Sequence, residues 1–399
     1  MPLTPRMTRG LLVSLGFLAA VPPFATDTYL ASFTDISADL GVSASSVQLT
    51  LTAFLVGIGA GQLLLGPLSD RFGRRRVLLA ALAVFAAASI AMAFSPGIDV
   101  FVGLRFVQGF SGAAGVVVSR AIAADLSEGR TAVRALSLIA SLVAIAPLVA
   151  PPIGGILASI WGWRGVLAFL AAIATAMLVL AWLVIPESLP PEERHRGGVG
   201  VMIRRFGGLL RDGTFVLLMV SFSVGFGALM GYISASPFVG QVVVGMSPVA
   251  YAFGFAAGAV GIMLANLLNA RIAVRVSPER MFAVGLATAL AAGLWFAVLT
   301  AAGLLVPATF IAGAFLLSGG VGLTMSNASA LALARADRAR GSGSALIGAG
   351  QFAVGAIVSP LVGLWGEDTA TPMIAVIIAS STIALVAGVA ALTTDRRSG

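Results

Sequence analysis

Apolar runs of about twenty residues recur along the whole chain, separated by short polar breaks. The pattern fits neither the one-sided stripe of a surface helix nor the alternation of a half-buried strand. The runs fall at 11–33, 46–68, 77–95, 100–122, 133–159, 165–186, 214–236, 249–270, 281–302, 306–333, 342–365 and 371–393. Each can carry a helix across a hydrocarbon core of about 30 Å. The expected fold is therefore an all-α integral membrane protein with twelve transmembrane helices. The first run contains Pro22, Pro23 and Asp27, and no small-residue cleavage signature follows it. It is expected to remain as a permanent helix.

The longest polar stretch, Pro186 to Asp212, is rich in proline, glycine and both signs of charge. It reads as a linker between two halves. The expected organisation is a six-helix bundle over 1–186, a cytoplasmic linker over 187–213 and a second, pseudo-symmetric six-helix bundle over 214–399. Weak internal repetition agrees: Arg71 and Arg76 fall on Arg275 and Arg280, and Pro151 and Gly154 on Pro360 and Gly363.

Composition sharpens this picture. Hydrophobic residues make up 59% of the 399 residues and charged residues 10%, too little polar surface for a water-soluble globule. The absence of cysteine removes disulfides, thiolate metal sites and thiol nucleophiles. The net charge of +8 would suggest nucleic acid if the charges were scattered, but all the basic residues are arginine, most of them gathered at the termini and in alternate loops. The positive-inside rule then places both termini in the cytoplasm. Outer loops hold Asp35, Asp39, Asp99, Glu367 and Asp368, and only Arg164 breaks the alternation. The single histidine, His195, reads as a solvated linker residue, and no Gly-x-x-x-x-Gly-Lys loop is present. Enzymatic chemistry, a metal site and nucleotide-driven transport are not expected.

Apart from Arg120 and Arg134, which lie at run ends, two charged residues fall within the apolar runs, Asp27 in the first and Arg105 in the fourth. An acid or arginine at mid-membrane costs about 2.5–3.5 kcal/mol on insertion scales, so such residues usually face a cavity and handle ions or substrate. A carboxyl there can gain and lose a proton as its access to water changes. Arg105 stays charged and can modulate that acid or tie helices together.

Gly66-Pro67-Leu68-Ser69-Asp70-Arg71-Phe72-Gly73-Arg74-Arg75-Arg76 joins the second and third runs and resembles the hallmark loop of the major facilitator superfamily. Arg105-Phe106-Val107-Gln108-Gly109 and Ala146-Pro147-Leu148-Val149-Ala150-Pro151-Pro152-Ile153-Gly154-Gly155 are similar to the fourth-helix and antiporter motifs of its twelve-helix drug:proton antiporters. Asp27-Thr28-Tyr29-Leu30-Ala31 with Val47-Gln48-Leu49-Thr50 resembles the Bcr/CflA branch, which includes bicyclomycin and phenicol exporters.

The resemblance implies proton-coupled drug efflux by alternating access. Asp27 and Arg105 would couple protons, with no cofactor beyond the proton gradient. Expected substrate contacts are Asp27, Tyr29, Arg105, Gln108, Phe222, Phe226, Met230, Tyr232 and Asn266. Expected gating residues are Gly66, Asp70, Arg71, Gly73, Arg74, Pro151, Gly154 and Gly155, with Asp70 docking near Gly341 and Ser342. The expected setting is a bacterial plasma membrane, with the chain acting as a monomer on a small-molecule drug, protons and lipid. An exporter or uniporter of a polar metabolite on the same fold is the alternative.

Overall fold

The computed structural model describes residues 7–127, 129–194, 206–272, 275–336, 340–363 and 368–398. His195 and Glu367 lie outside them. No strand occurs among the described residues. Among the described residues ten helices are long and apolar enough to cross a membrane, and a bent pair over Arg9–Ala19 and Val21–Leu40 adds an eleventh. The longest, Arg134–Val184, has 51 residues. At about 1.5 Å per residue it is far too long for one crossing. Gly162, with φ of 65°, interrupts it and divides it in two, which gives twelve spans.

The main departure from the expected pattern is the first span. It is not one continuous helix but α1 (Arg9–Ala19), α2 (Val21–Asp27), a 3-10 turn at Leu30–Ser32 and α3 (Phe33–Leu40). Pro22 and Pro23 supply no backbone N–H, so the ladder from α1 cannot run through them, and the segment bends by 42°. Asp27 ends α2, and Tyr29 leads into the 3-10 turn. The remaining helices are α4 (Ala44–Phe72), α5 (Arg74–Ala93), α6 (Ile98–Asp125), α7 (Gly129–Val184), α8 (Gly213–Phe238), α9 (Pro248–Ile272), α10 (Pro278–Ala301), α11 (Pro307–Arg335), α12 (Arg340–Leu361) and α13 (Thr371–Ser398).

The chain divides into two compact units. Unit 1 takes in Met1–Leu40 and Ala53–Gly197, and unit 2 takes in Gly41–Thr52 and Gly198–Gly399. In unit 1, glycines let backbones touch. A side chain at Gly109 of α6 would collide with the Phe54 carbonyl of α4, and one at Gly115 with the Leu18 carbonyl of α1. Such close approach is how helices associate where lipid leaves no hydrophobic force between them. Unit 2 has a cluster of Phe215, Leu218, Phe222, Phe282, Leu286 and Ile347 at its core. Large apolar side chains such as Leu183, Val298 and Ile357 remain exposed on the helix surfaces, as expected of residues solvated by acyl chains.

Arg164 has a local explanation. Its guanidinium pairs with Asp39 and lies 4.1 Å over the Trp163 ring, and the Trp163 indole N–H donates to the same carboxylate at 3.1 Å.

Candidate functional site

Asp27 closes α2, the short helix that the double proline opens. It is only 6% exposed, and no ion pair or hydrogen bond reaches its carboxylate from the described residues. A buried carboxyl with no partner is costly, so the fold retains it against a penalty that packing alone would remove. The next residue, Thr28, has its hydroxyl turned back to the Phe24 carbonyl at 2.6 Å. The Thr28 carbonyl abuts Gly154 of α7 so closely that any side chain at Gly154 would collide with it. Pro151, Gly154 and Gly155 are all buried. The antiporter-like segment therefore packs directly against the backbone that carries Asp27.

Arg105, on α6, is fully buried. Its guanidinium carbon lies 4.0 Å from the centre of the Tyr29 ring and 4.4 Å from that of Phe54, so aromatic faces flank the charge. Nη1 donates to the Ala25 carbonyl at 3.3 Å and to Gln108 Oε1 at 2.6 Å. Gln108 Nε2 in turn donates to Ser89 Oγ at 2.8 Å, and Ser89 donates to the Phe85 carbonyl. Ring faces and two oxygens thus meet part of the charge, while Nε and Nη2 are buried with no hydrogen-bond partner among the described residues. Tyr29 also packs on Phe33 at 5.0 Å and Phe101 at 6.4 Å. Asp27, Tyr29, Arg105 and Gln108, named from the sequence, thus lie along one connected stretch of unit 1. Phe54 and Ser89 were missed. The four-residue spacing of Gly57 and Gly61 on α4 was the available hint that this helix approaches α6 closely.

The loop between α4 and α5 forms a second polar centre. Gly73 has φ of 97°, a conformation that favours glycine, and its position lets the Glu187 carboxylate accept from the Arg74 N–H at 2.8 Å. The Arg74 side chain pairs with Asp70, donates to Ser69 Oγ at 2.8 Å and reaches Asp125 at 3.0 Å. Ser188 donates to the same Asp125 carboxylate at 2.8 Å, and Arg75 donates to the Ile185 and Trp182 carbonyls, each at 2.7 Å. Arg71 stays near the surface with its guanidinium 5.1 Å from the Phe72 ring, and Gly66 faces Val117. Asp125 and Glu187 lie just beyond the apolar runs read from the sequence, and their roles depend on contacts that no spacing reveals.

In unit 2 the residues named from the sequence do not gather at one point. Phe222 belongs to the core cluster. Phe226 meets Phe352 edge-on at 6.3 Å, and Met230 is 5% exposed. The Tyr232 ring sits among Phe255, Phe296 and Phe310, with centroids 6.0, 6.4 and 5.9 Å away. Asn266 accepts from Ser326 at 2.7 Å, on the same two helices as Phe255 and Phe310 but several turns further along them.

A family model described as Major Facilitator Superfamily matches residues 15–360. The chain belongs to that superfamily. It is 34% identical over 363 residues to a bicyclomycin resistance protein homolog of Haemophilus influenzae, covering 91% of each chain. It is 29% identical over 377 residues to a chloramphenicol resistance protein of Pseudomonas aeruginosa, covering 94% of this chain and 87% of that one. Its fold matches the crystal structure of a bacterial homolog of the human lysosomal transporter Spinster with a TM-score of 0.76, at 14% identity over 97% of this chain and 96% of that one. This superfamily member is a multi-pass membrane transport protein, not an enzyme.

Proposed function

We propose that this transporter exports small amphiphilic drugs, with phenicol antibiotics as the best candidates, in exchange for protons carried by Asp27. The observation that carries the reading is the buried, unpartnered carboxylate of Asp27, held at a helix break against the antiporter-like segment around Gly154. A carboxylate tied up in an ion pair would be a structural strut. One without a partner can exchange a proton or meet a ligand. The relatives named for bicyclomycin and chloramphenicol resistance support the choice of substrate class.

In this scheme 1–186 and 214–399 act as two six-helix halves that expose the site alternately to each side, with both termini and the 187–213 linker in the cytoplasm. Protonation of Asp27 from outside weakens its hold on the drug, and release of the proton inside restores the drug-receptive form. Arg105, fixed by Tyr29, Phe54 and Gln108, sets the local field that Asp27 feels. The expected gating residues around Asp70 and Gly154 serve the change of state. For a neutral drug and one proton, 100 mV supplies about 2.3 kcal/mol, enough for a roughly fifty-fold gradient. One copy of the chain suffices, and no cofactor is required.

Expression in a drug-susceptible bacterium, with growth inhibition scored for phenicols, bicyclomycin and cationic dyes, tests the substrate class. Raised tolerance to phenicols or bicyclomycin is expected. Unchanged tolerance to all three, with the protein present in the membrane, would contradict it.

A further inference from the structure

We propose that the turn at Gly162 and the end of α3 form a binding site for the headgroup of a phospholipid bearing a primary amine, such as phosphatidylethanolamine. Both elements belong to unit 1. Neither drug nor proton takes part, so the inference stands apart from the transport reading above.

Arg164 is the arginine that breaks the alternation of charge along the chain. Its pairing with Asp39 shows how that charge is tolerated and leaves part of its surroundings unused. A cavity of about 610 Å³ lies beside the pair, lined by Asp35, Asp39, Trp161, Trp163 and Arg164. Gly162 divides α7 into two spans, so this cavity lies where the chain turns back into the membrane. At that turn Trp161 is 65% exposed, and Ile160 beside it is exposed as well. An exposed tryptophan at the end of a span belongs at the level of the lipid headgroups, with its ring amid the acyl boundary.

One wall of the cavity is held firmly. Trp163 is buried and stacks on Phe101 at 6.2 Å. Its indole N–H and the Arg164 guanidinium both donate to Asp39 Oδ2, which leaves Oδ1 with no partner among the described residues. The Arg164 side chain is half exposed, and its Nε and Nη2 groups donate to nothing among those residues. Asp35 lies one turn before Asp39 on α3. It is half-buried, and no ion pair or hydrogen bond reaches its carboxylate from the described residues.

The charges select the ligand. Asp39 and Arg164 neutralise each other, so Asp35 carries an unbalanced negative charge. A matching ligand brings a cation with N–H donors to Asp35 and Asp39 Oδ1, and an anion to the free edge of Arg164. Charge-assisted bonds of both kinds are the stronger class, and a guanidinium suits a phosphate in particular. An ammonium joined to a phosphodiester by a short carbon bridge supplies both partners in one headgroup. A choline headgroup has the charge without the N–H donors, and an anionic lipid adds a second unbalanced negative charge. A soluble polyamine would satisfy Asp35 and leave the Arg164 edge and the Trp161 ring uncovered.

The test uses the full chain reconstituted in vesicles of phosphatidylethanolamine, phosphatidylcholine and phosphatidylglycerol in equal amounts. Native mass spectrometry after mild extraction counts the lipids retained. The ethanolamine lipid should be retained about fivefold over the other two, the ratio that an exposed charge pair supports. Asp35→Asn and Arg164→Gln should each remove that preference. Asp99→Asn, in the first turn of α6 and outside the cavity, should keep it. Retention in Asp35→Asn equal to that of the native chain, or a native preference for phosphatidylglycerol, would overturn the proposal.

A second series needs no variant. Replacing the ethanolamine lipid by its N-methyl, N,N-dimethyl and choline forms removes the N–H donors stepwise, and retention by the native chain should fall with each step. A flat series would refute recognition of the amine. Loss of the retained lipid on adding excess spermine, with no loss on adding the same charge as sodium, would assign the cavity to soluble polycations and overturn the lipid reading.

Discussion

Arg105 shows how one residue can be both tolerable and useful in a membrane. Its charge is met by the faces of Tyr29 and Phe54 and by the Ala25 and Gln108 oxygens, and among the described residues no carboxylate forms an ion pair with it. A desolvated cation-π contact is worth about 2 kcal/mol. Phe54→Leu should therefore lower the drug-efflux rate roughly tenfold and shift its pH profile, while Phe54→Tyr keeps both near the native values. Efflux assays in inverted vesicles across a pH series check this, and an unshifted profile in Phe54→Leu would leave Phe54 a packing residue. Asp27 and Arg105 stood out in the sequence because charges within apolar runs are rare. Phe54 did not, since one phenylalanine among 23 carries no mark of the guanidinium it covers.

At the scale of elements, the spans were legible from hydropathy and the breaks were not. Proline marked positions 22 and 23, but the size of the bend depends on how α2 seats against α7, where Gly154 meets Thr28. Gly154→Ala forces a methyl group into the Thr28 carbonyl. Overpacking of this kind costs about 1–3 kcal/mol. The variant should unfold at a lower temperature in detergent and lose most transport, measured by tryptophan fluorescence and vesicle efflux.

Helix α8 offers a milder test. Asp212 caps it by accepting from the Phe215 N–H at 3.1 Å and pairs with Arg335 at 3.2 Å. Burial pushes this carboxyl up, but the Phe215 N–H, the Arg335 guanidinium and the Thr214 N–H outweigh it and hold it below the ordinary carboxylate range. A lowered folded-state value means that the cap stabilises at pH above the unfolded value of about 4 and is lost as pH falls through the folded one. Asp212→Ala should cost about 1 kcal/mol at neutral pH, with the gap to the native chain closing as a thermal-unfolding series descends below pH 4. A gap that stays constant with pH would assign the effect to the cap's shape and not to its charge.

For the whole molecule, length, hydropathy and the Gly66–Arg76 loop were enough to reach a twelve-helix facilitator. What they could not reach is which polar residues of unit 2 come together. Phe222 and Tyr232 look like cavity residues when read one at a time, yet packing surrounds them with other apolar side chains. Coupled export as proposed depends on Asp27 carrying a proton. The most direct measurement is drug-driven proton movement in vesicles reconstituted with the native chain and with Asp27→Asn, read by an internal pH dye. Native vesicles should show proton flux on addition of drug, and vesicles carrying the Asp27→Asn variant none. Equal flux in the two would remove Asp27 from the mechanism.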